Sequence, residues 1–177
     1  MASTNVGIRS QQPMNLTWIS NFPSGCEEGR VLTIDMGGTH LRVCDVYLPR
    51  RRGDFEQSQK KYRLPPNVKE GNGEALWDFI ADCLNTFIEE RHIETPEREQ
   101  LPLAFTFSFP VHQENISSGI LQRWTKNFNL TGVEGHDVVP QLAAALEKKV
   151  NIKESWSISL PGDTLAHFVT RKFRSRL

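Results

Sequence analysis

The chain has 177 residues, and its 21 Lys and Arg residues balance 21 Asp and Glu residues, so its formal net charge at pH 7 is +0. This balance is not typical of proteins that bind nucleic acid or an anionic membrane through a basic surface, and we expect neither partner. The length suits one domain, or one lobe of a larger protein.

The placement of the cysteines and the lack of long apolar runs indicate in which cellular compartment the protein is expected. Cys26, Cys44 and Cys83 are scattered and form no Cys-x-x-Cys pair, which argues against a disulfide framework or a zinc site. The polar N-terminus lacks the apolar run of a signal peptide, and no later segment is long enough to span a bilayer. We therefore expect a cytoplasmic protein.

The first predicted elements are a polar N-terminus and a β-hairpin. Residues 1–12 are expected to be disordered, and residues 13–22 to form an arm on the domain surface. Residues 32–48 read as two strands that close on Gly37 and Gly38.

A helix, a strand and a second helix follow. Apolar residues recur at spacings of three and four between residues 74 and 92, which predicts an amphipathic helix; they are Leu76, Trp77, Ile80, Leu84, Phe87 and Ile88. Residues 102–109 have the density of Phe and Thr of a buried strand. Asp137 can cap a helix over residues 137–149, where Pro140 is tolerated in the first turn. This order of elements predicts a layered α/β lobe.

The predicted hairpin carries charges on both sides of its turn. Glycines without a Cβ permit positive φ and let a phosphate approach backbone N–H groups, while the Thr39 hydroxyl and the Arg42 guanidinium add donors. The Asp35 carboxylate could hold a hydrated Mg²⁺ that accompanies a nucleotide. A Gly-Gly hairpin with ordinary surface charges is the alternative, and the hairpin residues alone leave both open.

A second polar cluster follows the buried strand. Ser108, Thr125 and Lys126 offer hydroxyl and ammonium groups, and Trp124 offers an apolar wall. A sugar is polar at its edges and apolar on its faces, so it needs this mixture. Ordinary strand and loop residues are the alternative on physical grounds alone.

Both clusters resemble motifs of one family. Phe-Thr-Phe-Ser-Phe-Pro followed by Trp-Thr-Lys is similar to the hexokinase signature, and Asp-Met-Gly-Gly-Thr-His-Leu-Arg resembles the first phosphate motif of that family. The resemblance covers residues 13–153 and is greatest to fungal hexokinases. It implies the small lobe of an actin-like, ribonuclease-H-like α/β fold, a mixed sheet with flanking helices, in which ATP and sugar bind between two lobes.

The resemblance also implies roles for individual residues. Those implied to serve the phosphates of ATP and Mg²⁺ are Asp35, Gly37, Gly38, Thr39, His40 and Arg42, with Lys61 as a further nucleotide contact. Those implied to bind glucose are Ser108, Pro110, Thr125 and Lys126. Lys126 is also a candidate for a catalytic role. The implied reaction transfers the γ-phosphoryl group of ATP to the 6-hydroxyl of glucose or a related hexose.

The chain departs from the family pattern in two places that bear on activity. His40 stands where the family usually has asparagine. After Lys153 the family continues into a buried strand ending in Asn-Asp-Thr, whose aspartate is the catalytic base, whereas here Pro161 and Gly162 precede Asp163. Asp163 is a candidate equivalent, but our preferred hypothesis is that residues 154–177 are not family sequence, as a retained intron or a frame change would produce.

Three functions therefore stay open at the level of sequence. The first is an ATP-dependent hexokinase of which this chain is an incomplete part. The second is a non-catalytic hexokinase-like protein that binds sugar or regulates, and the third is a truncated product with neither role.

Overall fold

A mixed sheet and two helices account for most of the computed structural model, which describes residues 25–49, 54–93, 102–150 and 157–159. In chain order the elements are β1 (Gly29–Met36), β2 (His40–Leu48), β3 (Glu56–Arg63), a 3-10 helix (Pro66–Val68), β4 (Glu70–Asn72), α1 (Gly73–Arg91), β5 (Pro102–Phe107), β6 (Val111–His112), β7 (Ile120–Leu121), β8 (Asn129–Thr131), α2 (Val138–Lys149) and β9 (Ser157–Ser159).

The main sheet has five strands in the order β3-β2-β1-β5-β9. β2 is antiparallel to both β1 and β3, so the predicted hairpin is confirmed, while β1, β5 and β9 run parallel. A parallel pair of strands requires a crossover connection. The chain between β1 and β5 provides it and includes β2, β3, β4 and α1. Small two-stranded sheets of β4 with β8 and of β6 with β7 lie outside the main sheet.

β1 lies in the interior of the sheet, and most of its residues are buried. Leu32, Ile34 and Met36 are fully buried, and Val31 and Thr33 are nearly so. Because successive side chains of a strand point to opposite faces, the burial of both Leu32 and Thr33 means that both faces of the sheet are covered here.

The predicted helix over residues 74–92 is confirmed as α1. Its N-cap is Asn72, whose side-chain oxygen accepts from the Glu74 N–H at 3.1 Å, and it ends at His92 in a left-handed conformation (φ 50°). All six apolar residues that predicted the helix are buried. Each contributes about 1.5–3 kcal/mol through burial.

The second predicted helix is confirmed as α2, which packs against α1. The Asp137 carboxylate caps it by accepting from the Val139 N–H at 3.0 Å, and Pro140 lies in the first turn. On the surface of the pair, Lys149 forms ion pairs with Asp82 (2.8 Å) and Asp78 (3.5 Å).

A short strand follows Lys153, within the segment that the sequence sets apart from the family. β9 pairs in parallel with β5, and Ile158 is buried. The N-terminal residues 1–12 and 13–22 and the candidate base Asp163 lie outside the described residues, so the domain boundaries stay predictions. Within the described residues, neither helix has the length and apolar character needed to cross a membrane.

The buried face of α1 yields the first test. Leu84→Ala should lower the free energy of unfolding by about 2–5 kcal/mol, because Leu84 is fully buried and its loss leaves a cavity. Thr86→Ala on the exposed face of the same helix is the control and should change it by less than about 0.5 kcal/mol. Urea unfolding followed by circular dichroism measures both, and equal effects would contradict the assigned burial.

Candidate functional site

The site residues predicted from sequence gather at one edge of the main sheet. β1 and β5 are parallel, so their carboxyl ends meet there, and the Ser108 N–H donates to the Met36 C=O at 3.1 Å. β2 begins at the same edge, and its register places Arg42 opposite Lys61 of β3. Strand topology therefore brings together residues that are up to 73 positions apart in the chain, counted from Asp35 to Ser108.

The turn of residues 37–40, here called the Gly-Gly turn, joins β1 to β2. The Gly37 N–H donates to the His40 C=O at 3.0 Å, and the Thr39 C=O accepts from the Leu64 N–H at 3.0 Å. Neither Gly37 nor Gly38 adopts a positive φ, so the conformational freedom that the sequence suggested is not used.

Gly38 instead lacks a side chain where another residue comes close. A Cβ placed on Gly38 would lie 3.0 Å from both Cβ and Cδ of Lys126, whereas a Cβ on Gly37 would meet only the His40 C=O at 3.7 Å. Close approach, rather than backbone conformation, is therefore the physical reason for glycine at position 38.

Asp35 and Arg42 form an ion pair across the hairpin. They are register partners, and Nη1 of Arg42 lies 2.8 Å from Oδ2 of Asp35. The side chains are 36% and 54% exposed, so the pair contributes at most about 1 kcal/mol to stability. Ile34 is fully buried while Asp35 is half-buried, as the predicted alternation requires.

A cluster of cations surrounds His40. Partial desolvation lowers the pKa of the imidazole, and the neighbouring charges of Lys61, Arg63, Arg42 and Lys69 lower it further. The His40 Nδ1 lies 2.9 Å from the Thr39 hydroxyl. Several positive charges with one nearby carboxylate make this edge suited to an anion such as phosphate.

The turn of residues 125–128, here called the Lys126 turn, packs against the Gly-Gly turn. The Phe128 N–H donates to the Thr125 C=O at 3.2 Å, and Lys126 and Asn127 are left-handed, with φ of 57° and 62°. Left-handed conformations at non-glycine residues cost about 1 kcal/mol or more each, and they concentrate at functional sites.

Lys126 connects this turn to the end of β5. Its ammonium donates to the Ser108 C=O and lies 5.1 Å from the centre of the Phe109 ring. Pro110 follows, and its C=O accepts from the Gln122 N–H at 2.9 Å. The structure therefore brings Ser108, Pro110 and the Lys126 turn together.

Trp124 packs against the aromatic residues on both sides of this loop. Its ring stacks on Phe128 at 5.3 Å and meets Phe109 edge-on at 5.0 Å, and its Nε1 donates to the Leu130 C=O at 3.0 Å. The sequence suggested an apolar wall for a ligand, but the ring faces of Trp124 pack largely against the protein's own aromatic side chains.

Lys69 is the residue of this edge that sequence reasoning missed. Its ammonium donates to the Gly38 C=O at 2.8 Å and lies 5.4 Å from the centre of the Phe128 ring. A single lysine after a short 3-10 helix carries no pattern, so no sequence signal marks it.

The residues present offer little for a directly bound metal. Within the described ranges, no three His, Cys, Asp or Glu side chains group closely enough to hold a metal ion. Mg²⁺ keeps most of its waters and needs few protein oxygens, so the single Asp35 carboxylate fits an ion that arrives bound to phosphate.

A cavity of about 280 Å³ lies elsewhere, between α1 and α2. Trp77, Asp78, Gln141 and Lys148 are among its lining residues, and none of the predicted site residues is. The predicted chemistry therefore lies on an open edge rather than in this cavity.

Comparison with known proteins decides the family. The family model described as Hexokinase matches residues 2–173. The chain belongs to the hexokinase family. The chain is 49% identical to the hexokinase of Emericella nidulans over 137 residues, which is 77% of this chain and 28% of that protein. It is 44% identical to hexokinase-1 of Schizosaccharomyces pombe over 164 residues, 92% of this chain and 33% of that protein.

The fold comparison agrees. The hexokinase of Schistosoma mansoni, solved in complex with glucose, superposes with a TM-score of 0.75 at 34% identity over 85% of this chain and 33% of that one. The resemblance to fungal hexokinases and the actin-like α/β fold are thus confirmed. The chain spans 28–33% of the length of these relatives. The family match includes residues 154–173, although the motif pattern after Lys153 departs from that of the family.

The contact between the two turns yields the second test. Gly38→Ala should displace Lys126 by a few tenths of an ångström and destabilise the protein by about 1 kcal/mol, because the added methyl group overpacks a tight contact. The amide resonances of residues 125–128 should shift in an NMR spectrum. Gly37→Ala is the matched control and should leave them in place; equal shifts in both variants would contradict the contact.

The cations around His40 yield the third test. Because its pKa is lowered on folding, the unfolded chain binds more protons below the ordinary value of 6.5, and stability should fall as the pH drops through that window. His40→Asn should remove this part of the pH dependence. The check is an NMR titration of the His40 imidazole together with urea midpoints of both proteins between about pH 5 and about pH 8. A midpoint at or above 6.5 would show that the cations do not act on it.

Proposed function

We propose that this chain forms the small lobe of a hexokinase that transfers the γ-phosphoryl group of ATP to the 6-hydroxyl of glucose or a related hexose. The observation that carries the proposal is the contact of the Gly-Gly turn with the Lys126 turn at Gly38. Phosphoryl transfer depends mainly on holding donor and acceptor close together, with their charge neutralised. Two adjacent turns, one among cations and one with hydroxyl and ammonium groups, suit that task.

The nucleotide side of the proposal rests on the charges of the hairpin. We assign the phosphates of ATP to the Gly-Gly turn with Arg42 and Lys61, where the guanidinium keeps donors beyond the one used on Asp35. Asp35 would hold the waters of Mg²⁺, and when bound the ion would neutralise charge on the phosphates. His40 would contribute a ring nitrogen in place of the usual amide.

The sugar side rests on the groups around the end of β5. We assign hexose hydroxyls to the side chains of Ser108, Thr125 and Lys126, with Pro110 shaping the site. Support comes from their clustering and from the glucose complex of the Schistosoma mansoni relative. A hydrogen bond to a charged group is worth about 1.5–3 kcal/mol, so the ammonium of Lys126 is the strongest of these contacts.

The proposal also requires a base that accepts the hydroxyl proton. Asp163 is our candidate, because it lies four positions after β9, the strand that adds to the sheet beside β5. We propose turnover only for a protein that supplies both lobes, and we place that protein in the cytoplasm, as its scattered cysteines favour.

One observation favours a second function. His40 interrupts the phosphate motif with a ring among cations, as a hexokinase relative that binds sugar without phosphorylating it would tolerate. In that case the chain binds glucose and does not turn over in any assembly.

The fourth test separates these functions. Glucose binding to the 177-residue chain is measured by calorimetry, and glucose 6-phosphate formation by a coupled assay, both on the chain and on a chimera in which its small lobe replaces that of the Emericella nidulans hexokinase. We expect the chain to bind glucose and the chimera to turn over. Binding by the chain with an inactive, folded chimera would favour the second function, and no binding by the chain together with an inactive, folded chimera would contradict both.

Lys126→Met sharpens the same test. It should weaken glucose binding about tenfold, the lower end for one charged hydrogen bond, because a glucose hydroxyl must replace the bond from the ammonium to the Ser108 C=O. Lys148→Met, which removes an exposed lysine from α2, is the control and should leave binding unchanged. Equal affinities of the two variants would remove Lys126 from the sugar site.

A further inference from the structure

Lys69 contacts two separate segments of the chain, the Gly-Gly turn and residues 128–129. Its backbone C=O accepts from the Asn129 N–H at 2.7 Å, at the start of β8. Its ammonium donates to the Gly38 C=O in the Gly-Gly turn at 2.8 Å, and the same ammonium lies 5.4 Å from the centre of the Phe128 ring, the last residue of the Lys126 turn. One residue therefore holds the two turns in a fixed relation.

The ammonium of Lys69 is used structurally rather than as a free surface charge. It is part-buried, and among the described residues its contacts are a neutral carbonyl and an aromatic face, with no carboxylate in an ion pair. A cation over an aromatic face contributes about 0.5–1 kcal/mol at exposed sites and more where it is desolvated. Two contacts, one with the Gly38 C=O and one with the Phe128 ring, thus hold the ammonium at the Gly-Gly turn.

The hydrogen bond to Gly38 has a consequence for the next residue. The Gly38 C=O and the Thr39 N–H belong to one planar trans peptide, so they point in opposite directions. Fixing the carbonyl on the Lys69 side fixes the Thr39 N–H on the other side. Hydrogen bonding at the carbonyl also polarises the peptide and strengthens the N–H as a donor.

We propose that Lys69 is a positioning residue for phosphate binding: its ammonium sets the orientation of the Gly38–Thr39 peptide in the Gly-Gly turn and ties that peptide to the Lys126 turn through the Phe128 ring. This inference rests on the proposed function of the Gly-Gly turn as the phosphate site. It predicts that removing the Lys69 ammonium changes the geometry at Thr39 and Phe128. Removing another cation of the cluster lowers the positive charge equally but should not cause this change.

The test uses the full 177-residue chain and inorganic tripolyphosphate as the probe, followed by NMR of the backbone amides. Lys69→Met keeps the length and removes the charge, and Lys69→Arg restores a cation that can donate to a carbonyl and stack on a ring. Lys61→Met is the matched variant, because it removes one cation from the same cluster.

Without ligand, Lys69→Met should shift the amide resonances of Thr39 and Phe128, Lys69→Arg should return them toward the wild-type positions, and Lys61→Met should leave Phe128 in place. With tripolyphosphate, Lys69→Met should weaken binding about tenfold, with most of the affinity recovered in Lys69→Arg.

Two failures are distinguishable. In the first, the wild-type chain binds tripolyphosphate but Lys69→Met leaves the amide resonances of Thr39 and Phe128 in place. The same conclusion follows if Lys69→Met loses no more affinity than Lys61→Met and Lys69→Arg recovers none of it. Either result overturns the positioning role and leaves the phosphate site standing. A wild-type chain that binds no tripolyphosphate overturns the phosphate site itself, and the role of Lys69 in phosphate binding with it.

Discussion

Parallel pairing of β1 with β5 is the constraint from which the geometry of the site follows. Because both strands end at the same edge, the last residues of β1 lie beside Ser108, and the chain that continues from each strand must turn there. The turn after β1 is the Gly-Gly turn, while the longer loop after β5 leads to the Lys126 turn. Neither turn would meet the other if the two strands were antiparallel.

The contact between the two turns depends on the absence of a side chain at Gly38. Gly38 has no Cβ, so the stem of Lys126 can pack directly over the turn, and Lys69 can reach the carbonyl of the same glycine. Close packing leaves little room for either turn to move independently. The cations of the hairpin are thus held near the hydroxyl groups of the loop by the packing of Lys126 on Gly38 and the hydrogen bond from Lys69 rather than by ion pairs.

The β1–β2 hairpin, α1, β5 and α2 could be predicted from local patterns, because periodicity, turns and caps depend on neighbours along the chain. α1 follows from apolar spacing, and α2 from the cap at Asp137. Lys69 could not be found this way, since its partner is a backbone carbonyl 31 positions earlier, and backbone atoms leave no trace in the sequence. The approach of Lys126 to Gly38 could not be predicted for a similar reason, because Lys126 lies far along the chain.

The contacts of Lys126 affect the net free energy that a hydroxyl would gain by binding its ammonium. Two consecutive left-handed residues hold the ammonium against the Ser108 carbonyl, and this hydrogen bond offsets part of the backbone strain. A hydroxyl that takes the ammonium must replace that bond, so the net gain is smaller than the contact alone suggests. The turn is already formed, however, and a ligand would not have to supply the conformational entropy of ordering it. A preformed turn of this kind favours orientation of a bound group over affinity, which is the requirement that phosphoryl transfer places on an acceptor site.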